Sequence, residues 1–255
     1  MRVIKLIIVI SLIRLGNFAY ADDEASNVPF VKSSEYGRIY AKSVPNDYYG
    51  SEGKTFIYSV EKEEDQLLYA FDWYAGQIYL LGSVGSVIRL GPWARGHEPK
   101  VQDLAIGFYL DGKKLKEYST LDIVMAGYNE PINVRTSISH YTVFEEIMGY
   151  RWVRNNIWAF DVKTHEDKIL SFDVSTGKLR SPEEEQHDRL IGKVQDLKVS
   201  CYENSSQAAN EDKYEHVLTI EEFKECIGGQ LPYIPDGYRL ILGTFFHEVQ
   251  LKKSE

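Results

Sequence analysis

From residue 35 to about 174 the chain is written in short segments of alternating apolar and polar residues, each closed by a turn signal. This rhythm constrains the fold more than any other feature. A period of two places successive side chains on opposite faces of a strand. Residues 36–43 and 55–60 follow it and are separated by Pro45-Asn46-Asp47, Gly50 and Gly53. Residues 105–110 and 113–118 are joined by Asp111-Gly112, a pair that readily takes the positive φ of a type I′ hairpin turn. Residues 157–162 and 169–174 predict another hairpin, with Thr164-His165-Glu166-Asp167 at its tip. A third is predicted from 67–71 and 77–81 around Tyr74-Ala75-Gly76, and 86–90 predicts a further strand. Residues 139–147 read as either a strand or a short helix. Eighteen of the 33 aromatic residues are tyrosine, a residue suited to half-buried strand positions. The expected class is mainly β, an antiparallel sandwich or barrel of hairpins.

The two ends carry different text. Residues 1–21 read as an export signal: Arg2 and Lys5, an apolar run over 6–13, then Ala19-Tyr20-Ala21 as a small-x-small cleavage site. The run is too short to span a bilayer, and Arg14 interrupts it. Removing this segment takes away three cations and no acid, so the formal charge moves from −9 to −12. A field of that sign repels phosphate backbones, which excludes non-specific nucleic-acid binding, and no membrane span is expected in the mature chain. Residues 22–34 read as a loose leader and 35–180 as the β-rich core. Residues 181–255 read as a C-terminal subdomain packed on that core. There Cys201 and Cys226 predict a disulfide in an exported chain. The polar stretch 203–213 is expected to stay unordered. One short helix is expected, from a capping box at Thr219-Ile220-Glu221-Glu222 to Gly228-Gly229.

Candidate chemistry gathers in one loop, Gly91-Pro92-Trp93-Ala94-Arg95-Gly96-His97-Glu98-Pro99. Trp93 can stack on a ligand, Arg95 can grip an anion and His97 can move a proton. The bland alternative is that Trp93 plugs one end of the fold, with Arg95 paired to Asp103 or Glu98. His140, with Ser137 or Ser139 and Asp122, can be drawn as a nucleophile–base–orienter set, although no G-x-S-x-G elbow exists. Asp72, Asp161 and Asp173 each follow a phenylalanine at a strand end. They would either converge as a carboxylate site or serve as local turn formers. Neither nucleotide-binding glycine motif nor a metal-ligand spacing occurs, so no cofactor and no metal are expected. The ligand-binding candidates are thus Trp93, Arg95, His97, Asp72 and His140. Partners would be a small molecule, a glycan or an envelope protein.

Two resemblances accompany this reading. Residues 172–179 (FDVSTGKL) resemble blade text of quinoprotein-type β-propellers, which would imply a small or partial propeller as the alternative fold. The run 36–179 resembles an uncharacterised family of exported bacterial β-rich proteins. Its matching pieces are Asp72-Trp73-Tyr74, Gly91-Pro92-Trp93, Arg95-Gly96-His97, Ser119-Thr120-Leu121-Asp122-Ile123, Ser139-His140-Tyr141 and Phe172-Asp173-Val174. That likeness implies a bacterial periplasmic setting and brings no catalytic residue. The functional expectation is a non-enzymatic exported binding or envelope-associated protein. The alternative is a hydrolase on envelope glycan or peptide, using His97 or His140 with an aspartate.

Overall fold

A computed structural model describes residues 24–83, 85–127, 130–154, 157–209, 225–227, 238–242 and 249–253. The chain divides into two compact units. The first runs to Tyr150 and adds Phe160–Leu170 and Val174–Lys178. The second holds Arg151–Ala159, Ser171–Asp173 and the chain from Leu179 onward. The export signal expected over residues 1–21 lies outside the described residues.

Four strands open the first unit: β1 (Phe30–Ser33), β2 (Ile39–Pro45), β3 (Gly53–Ser59) and β4 (Gln66–Phe71). They form an antiparallel meander in chain order. A second meander is built from β5 (Ile78–Leu81) and β6 (Ser86–Leu90), followed after the two-residue β7 (Ala94–Arg95) by β8 (Leu104–Leu110) and β9 (Lys113–Ser119). Alternation does what the sequence promised: β2 buries Ile39, Ala41 and Ser43 and turns Tyr40 and Lys42 outward. Ile39, Ala41, Ile57 and Phe71 of the first sheet meet Ile78, Leu80, Val87 and Tyr109 of the second, each no more than 8% exposed. Two sheets facing across one apolar layer are a sandwich, and the fold is mainly β as expected. At the β8–β9 turn Asp111 and Gly112 take φ of 46° and 76°, as the hairpin text predicted.

The connection from β4 to β5 corrects one expectation. Residues 67–71 and 77–81 do not form a hairpin, because β4 ends the first sheet and β5 begins the second. Tyr74 and Ala75 are buried at 4% exposure, and their backbone is held by Tyr74 N–H to the Ser51 carbonyl at 2.8 Å. Thr55 Oγ1 donates to the Trp73 carbonyl at 2.9 Å. The segment is a buried passage between layers, with a glycine in it that mimics turn text.

The expected loose leader is also corrected in part. Residues 30–33 are β1, and the Asn27 amide ties the preceding segment to the Tyr48 carbonyl at 2.7 Å. A short helix, α1 (Thr120–Met125), follows β9. Ser119 and Asp122 close it in a reciprocal capping box, Asp122 N–H to Ser119 Oγ at 3.0 Å and Ser119 N–H to Asp122 Oδ2 at 2.9 Å. The small strands β10 (Arg135–Thr136) and β11 (His140–Thr142) pair with β7 in the order β10-β11-β7. Residues 139–147 therefore resolve as strand. β12 (Phe144–Arg154), β13 (Ile157–Thr164) and β14 (Ile169–Asp173) form a three-stranded sheet in that order. Phe172 on β14 bridges antiparallel to Leu179 across the Ser175-Thr176-Gly177 turn, so the blade-like phrase here is hairpin text.

The second unit holds a helix that the sequence reading did not place. It contains α2 (Pro182–Ala209), 28 residues long, in addition to the short one expected over 219–229. The stretch expected to be unordered is helical through residue 209. Its start is a second capping box: Glu184 N–H to Ser181 Oγ at 3.1 Å and Ser181 N–H to Glu184 Oε2 at 2.6 Å. Pro182 stands at the first helical position, where its missing N–H costs nothing. Leu190, Ile191, Val194 and Cys201 are buried along one stripe, each at or under 7% exposure. Arg180 pairs with Glu185 at 2.6 Å and with Asp188, while Arg151 takes the other Glu185 oxygen at 2.9 Å. Cys201 and Cys226 are joined by a disulfide, with Cα atoms 5.9 Å apart. Residues 225–227 are one helical turn, and the rest of the helix expected over 219–229 lies outside the described residues. β15 (Tyr238–Leu242) and β16 (Val249–Lys253) form an antiparallel pair.

Candidate functional site

The first unit carries a cleft of about 460 Å³, within the ~300–1,000 Å³ range of small-molecule sites. Its walls come from several stretches distant in sequence. The chain after β6 supplies Trp93, β11 and the start of β12 supply His140 and Phe144, and the segment before β1 supplies Glu24.

Local structure explains how they meet. Gly91 donates its N–H to the Ala105 carbonyl at 2.9 Å and lies so close to β8 that an added Cβ would stand 1.6 Å from the Leu104 oxygen. Only glycine fits there, and it directs the chain away from β6. β7 then pairs with β11, Arg95 opposite His140 and Ala94 opposite Tyr141. Gly96, at φ +99°, turns the chain out of that pairing and donates to the Ser139 carbonyl at 3.0 Å. The strand pairing draws the indole of Trp93 to the imidazole of His140, with ring centroids 3.7 Å apart and planes at 39°.

Behind the aromatic wall the polar atoms are satisfied internally. Tyr141, 1% exposed, donates its hydroxyl to Asp103 Oδ2 at 2.8 Å and shares a 2.8 Å hydrogen bond with Thr120. Burial, seconded by the Asp103 carboxylate, holds that phenol above its ordinary pKa, so it stays a neutral donor. Thr120 in turn accepts from the Lys100 N–H at 2.9 Å and donates to its carbonyl at 3.0 Å. The loop between β7 and β8 is thereby clamped to α1.

At the mouth, Arg95 pairs with Glu24 at 2.5 Å and lies 5.6 Å from the Tyr49 ring. Its partner is thus neither Asp103, which receives the Tyr141 hydroxyl, nor Glu98. Asn27 fixes the Glu24 segment by donating to the carbonyls of Asp47 at 3.2 Å and Gly50 at 3.0 Å. Glu145 meets Lys163 at 3.0 Å, and the two carboxylates around Lys163, Asp167 first and then Glu145, raise that ammonium's pKa.

Of the five ligand-binding candidates, Trp93 and His140 line the cleft and Arg95 stands at its edge through Glu24. His97 is exposed and outside the lining. Asp72 is also outside it, with a side chain 96% exposed and 3.8 Å from Lys54. It does not converge with Asp161, which is 5% exposed within β13. The drawn triad separates as well. Ser137 Oγ does lie 2.6 Å from His140 Nδ1, but Asp122 is committed to capping α1. Among the described residues no three His, Cys, Asp or Glu side chains gather as a metal-ligand set. Glu24, Phe144, Glu145 and Gln77 were not singled out from sequence; Glu24 was hidden in text read as leader. Comparison with known proteins finds no matching family model and no matching curated protein.

Proposed function

We propose that this chain is an exported, non-enzymatic binding protein whose ligand occupies the Trp93–His140 cleft. The observation that carries the reading is the cleft itself: concave, walled by paired aromatic rings and held by clamped loops, so that little ordering accompanies binding. Export is supported by the leader text and by the Cys201–Cys226 disulfide, which suits an oxidising compartment. No helix among the described residues is long and apolar enough to cross a membrane.

The test is a thermal-shift screen of sugars, amino acids and short peptides on the wild type and on Trp93→Ala. At least one compound is expected to raise the melting temperature of the wild type and not that of the variant. Equal shifts in both would overturn the reading.

A hydrolase is the second reading, favoured by the Ser137–His140 hydrogen bond. It requires a cleaved bond and turnover that His140→Ala abolishes while the fold survives. Ser137 sits in a tight turn, its N–H on the His140 carbonyl at 2.8 Å, and it does not line the cleft. That placement favours binding over nucleophilic attack.

A further inference from the structure

The charge pattern of the cleft narrows what it can hold, given the reading above that it is a ligand site. Among the described residues no lysine or arginine lines it. A phosphate or carboxylate ligand would therefore enter without the charge-assisted donors that such groups are recognised by. A cation fares no better at the two carboxylates already spoken for, Glu24 by Arg95 at 2.5 Å and Glu145 by Lys163 at 3.0 Å. Entering would mean displacing a counter-ion that the fold supplies. Glu146, also in the lining, is exposed, so water and salt screen it.

Apart from solvent-screened Glu146, what remains available is hydrogen-bonding capacity at groups whose charge is already balanced. An ion-paired carboxylate keeps lone pairs that can accept from hydroxyls, and the exposed amide of Gln77 can both donate and accept. The same lining contains Phe144 and Trp93, the latter's indole packed on His140. Planar acceptors next to aromatic faces match a pyranose ring, which offers a C–H face for the indole and equatorial hydroxyls for the carboxylates and amide. We infer that the cleft binds a short, neutral oligosaccharide.

The experiment is titration calorimetry on the full mature chain with trimers that differ in charge and linkage. Chitotriose, cellotriose and maltotriose are the neutral probes, the glucosamine trimer is the cationic one, and the galacturonate trimer is the anionic one. At least one neutral trimer is expected to bind at least about tenfold more tightly than either charged trimer. Trp93→Ala is expected to weaken that binding by about tenfold, the loss typical of truncating an aromatic anchor. The inference is overturned if no neutral trimer binds, if a charged trimer binds as tightly, or if the variant binds like the wild type. Should every trimer fail while another compound shifts the wild type but not Trp93→Ala, the sugar assignment falls and the cleft remains a ligand site. Should nothing depend on Trp93, both fall.

Discussion

At the residue scale, Gly91 decides whether the cleft exists. Its missing Cβ is what lets the chain pass against β8, since any side chain there would collide with the Leu104 carbonyl. Gly91→Ala is expected to cost ~2 kcal/mol or more, because the obstacle is backbone and cannot swing aside. It should also disturb Trp93, two residues on. Gly149→Ala is the control. At φ +90° it carries backbone strain of ~1–2 kcal/mol but meets nothing within 4 Å and lies outside the cleft lining, so the cleft should keep its form. Urea midpoints and the tryptophan emission of the two variants would separate collision from strain; equal losses would refute the packing argument.

At the element scale, what was legible depended on how local the cause was. Asp111-Gly112 dictates its own turn, and the β8–β9 hairpin came out where the text placed it. The passage through Tyr74-Ala75-Gly76 did not, because its backbone is held by Ser51 in the β2–β3 connection, by Thr55 on β3 and by Ser43 on β2, whose Oγ accepts from the Ala75 N–H at 3.5 Å. α2 was misread for a different reason. Its Ser181-Pro182-Glu183-Glu184 start is a complete local signal, but it sits in a run of acids that reads as a solvated loop. Those acids favour the helix, since Glu183, Glu184 and Glu185 lie at its positive N-terminal end. Ser181→Ala is expected to remove ~1 kcal/mol from the second unit. That loss would appear as a lower urea midpoint for the far-UV circular dichroism signal, and an unchanged midpoint would count against the cap. The site was half legible by the same logic. Trp93 and His140 drew notice as residue types, while their meeting depends on β7 pairing with β11, some 45 residues on, which no local pattern announces.

At the scale of the whole molecule, the tyrosines set a limit on the alkaline side. Burial raises Tyr69 to about 12 and raises Tyr109 and Tyr150 further above the usual 10.0. In the unfolded chain these phenols ionise near pH 10, while the folded protein still holds their protons. The folded state therefore binds more protons across that window, and its stability is complete below pH 10 and falls as pH rises through it. On the acid side Glu117 acts in reverse. Burial alone would raise its pKa, but hydrogen bonds from Tyr109, Lys114 and Arg89 outweigh that and hold it below 4.5. Its contribution is present above about pH 4.5 and is lost as pH drops through the lowered value. Melting temperatures across pH should fall at both ends. Tyr69→Phe should flatten the alkaline slope, and an unaltered slope in that variant would show that the buried phenol is not its source.

The strap formed by Glu24 and Asn27 has a practical consequence. If the leader is cut after Ala21, only Asp22 and Asp23 separate the new amino terminus from a residue in the cleft wall, a reach of at most ~7 Å. An affinity tag, or a few residues left by imprecise processing, would begin within that reach of the cleft wall. Binding should be measured with a native Asp22 start and any fusion placed after Glu255, because a tag at the front would report on itself.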